Sequence, residues 1–312
     1  MIIFAGRLVN IVIGMQSGRY IHHFAITVMA VLISSAISAQ GLPYSVIGEP
    51  SGTSPNFFGP SAFPVPDMVK NTTDRIRLQV NTDVAWGNLA PTTDYASTLG
   101  FDIRIPLFTE RVNLSVWGQV HEWYWDTPEV REARGVDPKY NLNGDCSGEA
   151  YLSADVLLVK ERKLLPSLTM RVALKTASGD DYEKARYYDA PGYFFDACAT
   201  KNISLGGVFF KSISASLNFG FVCWQKDIGC QNDAWLYAGS LALDTKLARL
   251  SVDLGTYAGQ EHYFDKPAMF KSRLDFLPDR MVSFFFLYQK GVRDWPFQQA
   301  RVGLTVALPK LL

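Results

Sequence analysis

The chain has 312 residues, enough for one large domain or two ordinary ones. Its 30 basic and 30 acidic residues cancel, so no global charge argues for nucleic acid or an acidic surface as partner. Beyond residue 39 no window nears the roughly 18 uninterrupted apolar residues of a membrane helix, which excludes a helical inner-membrane bundle.

Residues 24–39 read FAITVMAVLISSAISA, preceded by Arg19, His22 and His23 and closed by Ala36, Ser38 and Ala39. A basic flank, an apolar run and a small-residue end predict a secretory signal peptide over 1–39, cut near Ala39 or Gln40. No cysteine follows the cut, which argues against a lipoprotein anchor. Residues 1–14 read as an upstream extension, with Met15 as the start. Residues 40–72 differ in character: six prolines and four glycines between 41 and 67 suit neither strand nor helix. Tyr44, Phe57, Phe58 and Phe63 are unusual in a solvated linker, so this stretch is expected as a periplasmic strap or plug.

From Thr73 onward a run of about ten alternating residues followed by a turn recurs about twelve times. In the first run Ile76, Leu78, Val80, Val84 and Trp86 lie on one face, with Arg75, Arg77, Gln79, Asn81 and Asp83 on the other, because side chains alternate with period two. Further strands are expected at 95–107, from 112, and at 149–160, 167–176, 201–210, 213–224, 234–244, 247–258, 268–277, 281–290 and 299–308. Tight turns fall at 108–110, 211–212 and 245–246. Long polar loops fall at 125–148 and 177–200. One apolar face, one charged face and turns alternately short and long predict an all-β fold: a transmembrane antiparallel barrel of about 12 strands over 73–312. Both termini then lie on the short-turn side, the periplasm, and the long loops lie outside. Trp86, Tyr124, Trp224, Trp235, Tyr237, Tyr257 and Tyr288 fall near strand ends, as interfacial girdles would.

Four groups of residues could carry function. The inward face collects nine cations, Arg75, Arg77, Arg104, Arg171, Lys175, Arg249, Lys271, Arg273 and Arg301, against Asp83, Asp102, Asp155, Asp253 and Asp275. Either they make a basic lumen that admits anions, or they pair across neighbouring strands inside an occluded barrel. Cys146, Cys198, Cys223 and Cys230 sit at the outer end, and an even count in an exported chain suggests structural disulfides; four cysteines allow three connectivities, of which 146–198 with 223–230 is the one expected. Tyr187, Tyr188, Tyr193 and Phe194 fall in the second long loop, where tyrosine suits binding, an inward-folded constriction or simple packing. His121 (placed on the lumen side of the third strand) and His262 lack a serine with a reason to be near, so a catalytic triad is not indicated. No cofactor-binding loop or metal-ligand cluster is present in the sequence, and none is expected.

The signal end ISAQ, the Pro/Gly-rich lead, and the segments RVNLSVWGQVHEWYWDTPEVREARG and KTASGDDYEKARYYDAPGYFFDA resemble outer-membrane barrel proteins of the Bacteroidetes kind, porin-like in type. The resemblance covers residues 41–312 and implies integral placement in the outer membrane. Lipid and lipopolysaccharide would then surround the barrel, and the barrel-assembly machinery would insert it. The ending Pro309-Lys310-Leu311-Leu312 departs from the aromatic terminus common in such proteins. The expected function is a narrow, anion-biased channel or transporter for small solutes. The alternatives are a non-conducting scaffold that binds another envelope component through its strap or loops and, less favoured, a surface lipid hydrolase using His121.

Overall fold

The computed structural model describes residues 58–69, 71–87, 94–107, 110–225, 233–260 and 266–308. The signal-peptide reading, Cys230 and His262 lie outside the described residues. Thirteen strands form among the described residues: β1 (Ile76–Gly87), β2 (Tyr95–Pro106), β3 (Val112–Trp125), β4 (Asn143–Ser147), β5 (Ala150–Val159), β6 (Ser167–Lys175), β7 (Gly192–Ser204), β8 (Phe210–Trp224), β9 (Ala234–Thr245), β10 (Ala248–Ala258), β11 (Ala268–Phe276), β12 (Val282–Arg293) and β13 (Phe297–Leu308). A short α-helix, α1 (Pro128–Ala133), lies between β3 and β4 and is capped by the Thr127 hydroxyl.

Every strand but β4 joins one closed antiparallel barrel of twelve. β1 pairs with β13 from Ile76↔Leu308 to Gly87↔Phe297 and with β2 on its other side, while β2 pairs with β3 and β3 with β5. Closure leaves no strand edge to lipid, where an unpaired backbone group would cost several kcal/mol. The thirteenth strand, β4, forms a hairpin on the outer extension of β3, from His121↔Ser147 to Trp125↔Asn143.

The alternation places the side chains as the period-two pattern predicts. On β1, Val80 and Val84 are 57% and 51% exposed, whereas Asp83 is 2% exposed and faces inward. An apolar belt outside and polar groups inside invert the soluble arrangement and suit a barrel in lipid.

The expected 177–200 loop and 201–210 strand are corrected here. β7 begins at Gly192, and the turn into β8 is 205–209, closed by Leu205 N–H to Lys211 C=O at 2.9 Å and containing Gly206 at φ 64°. The aromatic run at 193–195 reads as loop composition, yet Phe194, Asp196, Cys198 and Thr200 alternate inward along a strand.

The register also slips at β2–β3, where Leu99 faces His121 but Gly100 faces Gln119. The extra residue, Val120, reverses the parity beyond it. Glu122 and Tyr124 therefore turn inward, 0% and 1% exposed, and His121 turns out. His121 is not on the lumen side. Tyr124, Trp224 and Tyr257 are likewise buried inside and form no part of a lipid-facing girdle. Position along a strand suggests a girdle, but parity decides the face.

Residues 58–69 and 71–73 run inside the barrel. At the loop end the Phe58 carbonyl accepts from Arg134, the Gly59 N–H bonds Ala185 C=O, and Trp295 donates to Pro60 C=O. Tyr257 and Lys271 then donate to the Phe63 and Val65 carbonyls, and Arg171 to that of Asp67. At the turn end Thr73 exchanges two hydrogen bonds with the Asn113 side chain before β1 begins. A Pro-rich chain has few ladder donors of its own, so barrel side chains satisfy its carbonyls.

Candidate functional site

The lumen has two halves. Toward the long loops it is filled by Phe58, Phe63 and Val65 of the threaded segment, packed with Tyr151, Tyr188, Phe194, Trp224, Tyr257, Trp295 and Phe297. Phe58 lies 5.5 Å from both the Phe63 and Tyr188 rings, edge to face. Toward the short turns the packing stops. A cavity of about 760 Å³ opens there between the far end of the segment and the walls of β1, β2, β5 and β7 to β13. A smaller one of about 90 Å³ lies beside it, against β3 and β5.

The outer half is fastened by a buried charge cluster. Arg186 is 0% exposed and meets Asp94 at 2.9 Å, Glu122 at 2.6 Å and Asp126 at 3.2 Å, while its guanidinium lies 4.6 Å over the Tyr124 ring. Arg134 reaches Asp94 at 2.6 Å and Asp126 at 3.7 Å. Five charged groups from four stretches of chain thus share one dry site, a design that costs several kcal/mol if any partner is removed. Burial pushes the Asp126 carboxyl up to about 7, with Arg186 pulling the other way and Asp94 adding to the rise. Burial also opposes the charge on Asp94, but Arg186 and Arg134 outweigh it and hold that carboxyl below the usual range.

Six of the nine inward cations are matched by carboxylates. Arg171 forks onto Asp196 at 2.9 and 2.6 Å, Lys175 meets Glu149 at 2.6 Å, and Arg301 meets Asp83 at 3.0 Å. Arg273 binds Asp275 at 2.7 Å, Arg249 binds Asp244 at 3.2 Å, and Lys271 binds Asp67. Asp155 sits between Asn113 and Arg171 in the cross-strand register, and Asp253 between Ser240 and Lys271. Arg75 is exposed at the rim, just before β1. Arg77 and Arg104 differ from the rest. They face each other across β1–β2, and neither forms a salt bridge among the described residues; Arg104 donates to the Asn71 carbonyl at 3.3 Å.

Several other expected site residues fall elsewhere. Cys146 and Cys198 are buried, unbridged thiols. Because β7 starts at Gly192, Cys198 is carried down the barrel wall to face Thr169 and Asn218, while Cys146 stays opposite Glu122 at the loop end. The expected 146–198 bridge is therefore not made. Cys223 is buried near the end of β8, and its expected partner Cys230 is outside the described residues. Tyr187 and Tyr188 point inward, 0% and 1% exposed, with the Tyr187 hydroxyl on Glu122 at 3.0 Å. Phe194 is buried in β7, and Tyr193 faces outward there with its hydroxyl on Asp233 at 2.8 Å. Tyr187, Tyr188 and Phe194 thus offer no surface to an outside partner. Outward-turned His121 meets Asp145 at 3.2 Å and stands opposite Ser147 in the β3–β4 register, a neighbour that sequence reading missed because β4 was taken as loop. Asp145 is 63% exposed, and neither lumenal cavity reaches this trio.

No family model and no curated protein match the chain. Among solved structures it is similar to an outer-membrane channel from Pseudomonas putida F1, with a TM-score of 0.53 and 11% identity, covering 79% of this chain and 100% of that one. It has the fold of an outer-membrane β-barrel. The KdgM porin shows 12% identity at a TM-score of 0.44, with 73% of this barrel chain and 98% of the porin covered. At such identities the likeness is one of fold.

Proposed function

We propose that this protein is a gated outer-membrane channel for small solutes, barred at its outer half by the threaded segment and biased towards anions at its inner half. The observation that carries the reading is the division of one closed barrel into a packed half and an open, polar half holding about 760 Å³. A merely structural barrel of this width could fill both halves with side chains. Here the inner half is left open to the short-turn side, and the outer half is closed by a piece of chain that is not part of the wall. Such a piece can shift without breaking a ladder hydrogen bond.

The anion bias is local. The wall of the larger cavity holds six cations (Arg77, Arg104, Lys160, Arg249, Lys271 and Arg273) and eight carboxylates, so no bulk cationic field exists. Four of the six are tied to acids of that wall. The bias therefore rests on Arg77 and Arg104, since unpaired basic side chains at a constriction set pore preference.

The packed outer half also favours a second reading, a non-conducting envelope scaffold. Single-channel recording of the refolded mature chain, beside a variant lacking residues 58–69, separates the two. The channel reading expects steps that are larger and longer-lived in the variant, with reversal potentials shifted towards the anion in a salt gradient. Silence from both, with folding verified by heat-modified electrophoretic mobility, rejects it in favour of the scaffold.

A further inference from the structure

One cross-strand row at the inner half sets two like charges opposite each other. The β1–β2 and β2–β3 registers align Arg77, Arg104 and Ser115 on the inward face of three adjacent strands. Like charges directly opposite each other in a sheet are destabilising. Nearly every other inward cation answers such repulsion with a carboxylate at 2.6–3.2 Å or closer. Arg77 and Arg104 do not. Asp275, the carboxylate that acts most on Arg77, is already held by the Arg273 fork at 2.7–3.0 Å.

The third member of the row is unsatisfied in the complementary sense. Ser115 is 4% exposed, and its hydroxyl is buried with no hydrogen-bond partner among the described residues. A buried hydroxyl left without a partner is destabilising. Ser115 lines the smaller cavity, Arg77 lines the larger, and Arg104 lines both. The two cavities therefore meet at Arg104, which spends a hydrogen bond on Asn71 and keeps the rest of its fork available. Two guanidinium groups thus face the larger cavity, and one of them, Arg104, shares the smaller with a hydroxyl, a row of donors complementary to an oxygen anion seated at Arg104. Arginine forks suit its planar or tetrahedral oxygens in bidentate fashion.

We propose that Arg77, Arg104 and Ser115 form a binding site for the oxyanion group, carboxylate or phosphate, of a small solute that enters the vestibule from the short-turn side. The site deepens the channel reading, on which it rests for the idea that the ligand is the cargo. The bound anion neutralises the Arg77–Arg104 repulsion and satisfies Ser115, so the row is stabilised only when occupied. A larger cavity of about 760 Å³ leaves room for the remainder of a solute of ordinary metabolite size.

The test is calorimetric titration of the refolded full barrel with inorganic phosphate and, separately, with succinate, at constant ionic strength. Saturable binding of one or both is expected, and the tighter arm names the oxyanion. Arg77→Gln should weaken it roughly tenfold or more, the size of one charge-assisted hydrogen bond, and Ser115→Ala about fivefold. Arg104→Lys should keep part of the affinity, because charge survives while the fork is lost. Saturation by neither probe, or equal affinity in correctly folded Arg77→Gln and Ser115→Ala, overturns the site. Binding is measured without current, so a silent barrel that still binds in this way supports the site and sinks only the channel. A conducting barrel that binds neither probe does the reverse.

Discussion

The two halves of the lumen use charge in opposite ways. In the loop-end half, Arg186, Arg134, Asp94, Glu122 and Asp126 are buried together, and each finds its counter-charge within the protein. In the turn-end half, Arg77 and Arg104 line open space and repel each other. A barrel interior can therefore be closed by completing its polar networks or kept receptive by leaving one incomplete. The cost of a substitution should differ accordingly: large for folding at the loop end, small for folding but large for ligand handling at the turn end.

The largest effect is expected at Arg186. Arg186→Ala leaves three buried carboxylates without their shared cation and should destabilise the fold by about 3–5 kcal/mol, read by guanidinium unfolding or heat-modified mobility. A loss below about 1 kcal/mol would mean that water already reaches the cluster and that the outer half is not sealed.

Next in size is the threaded segment. Phe63→Ala removes a ring from the outer core, and about 3 kcal/mol is expected, near the low end for such truncations because the segment can resettle. Conductance of the same variant should rise if the segment is the bar, and an unchanged current would separate packing from gating.

A third measurement varies pH. Burial lifts Asp126 from an ordinary value of 3.8 to about 7. A carboxyl whose folded value lies above its unfolded one favours the closed cluster fully below about pH 4. The contribution declines as pH rises towards 7 and is level above. Asp94 is shifted downward, so its contribution is lost only in more acidic solution. Protection of 177–191 against hydrogen exchange should accordingly be greater at about pH 4 than at about pH 8, roughly the two sides of that window, and Asp126→Asn should flatten the difference.

The smallest folding effect belongs to the turn end. Arg77→Gln should change stability by no more than about 1 kcal/mol, and in the stabilising direction, because it removes a like-charge pair. Destabilisation beyond that would show Arg77 to be engaged in the wall and would weaken the contrast between the halves.

The alternation over Ile76–Trp86 made the barrel legible, since Leu78, Val80 and Val84 point out and Gln79, Asn81 and Asp83 point in as the sequence alone predicts. The same rule put Arg77 and Arg104 on the inner face. It misplaced His121 because one inserted residue, Val120, reverses parity, and no local feature of GQVHEWYWD announces the bulge. It misread 192–200 as loop because aromatic and acidic residues there are matched only across strands: Phe194 packs on Trp117 and Trp224, and Asp196 accepts from Arg171 and Asn218. The Arg186 cluster left no sequence signature. Its members span residues 94 to 186 and share no spacing, so their meeting depends on how three loops fold over the barrel mouth.

What the sequence determined by itself is the class of solvent on each face: period-two alternation is a local property, and an apolar face repeated strand after strand requires lipid outside and polar groups within. The tertiary structure alone decided which charges are cancelled, where the interior is full and which path the threaded segment takes. Those outcomes depend on register between strands and on contacts such as Lys271 to Val65, 206 residues apart, which no local pattern encodes.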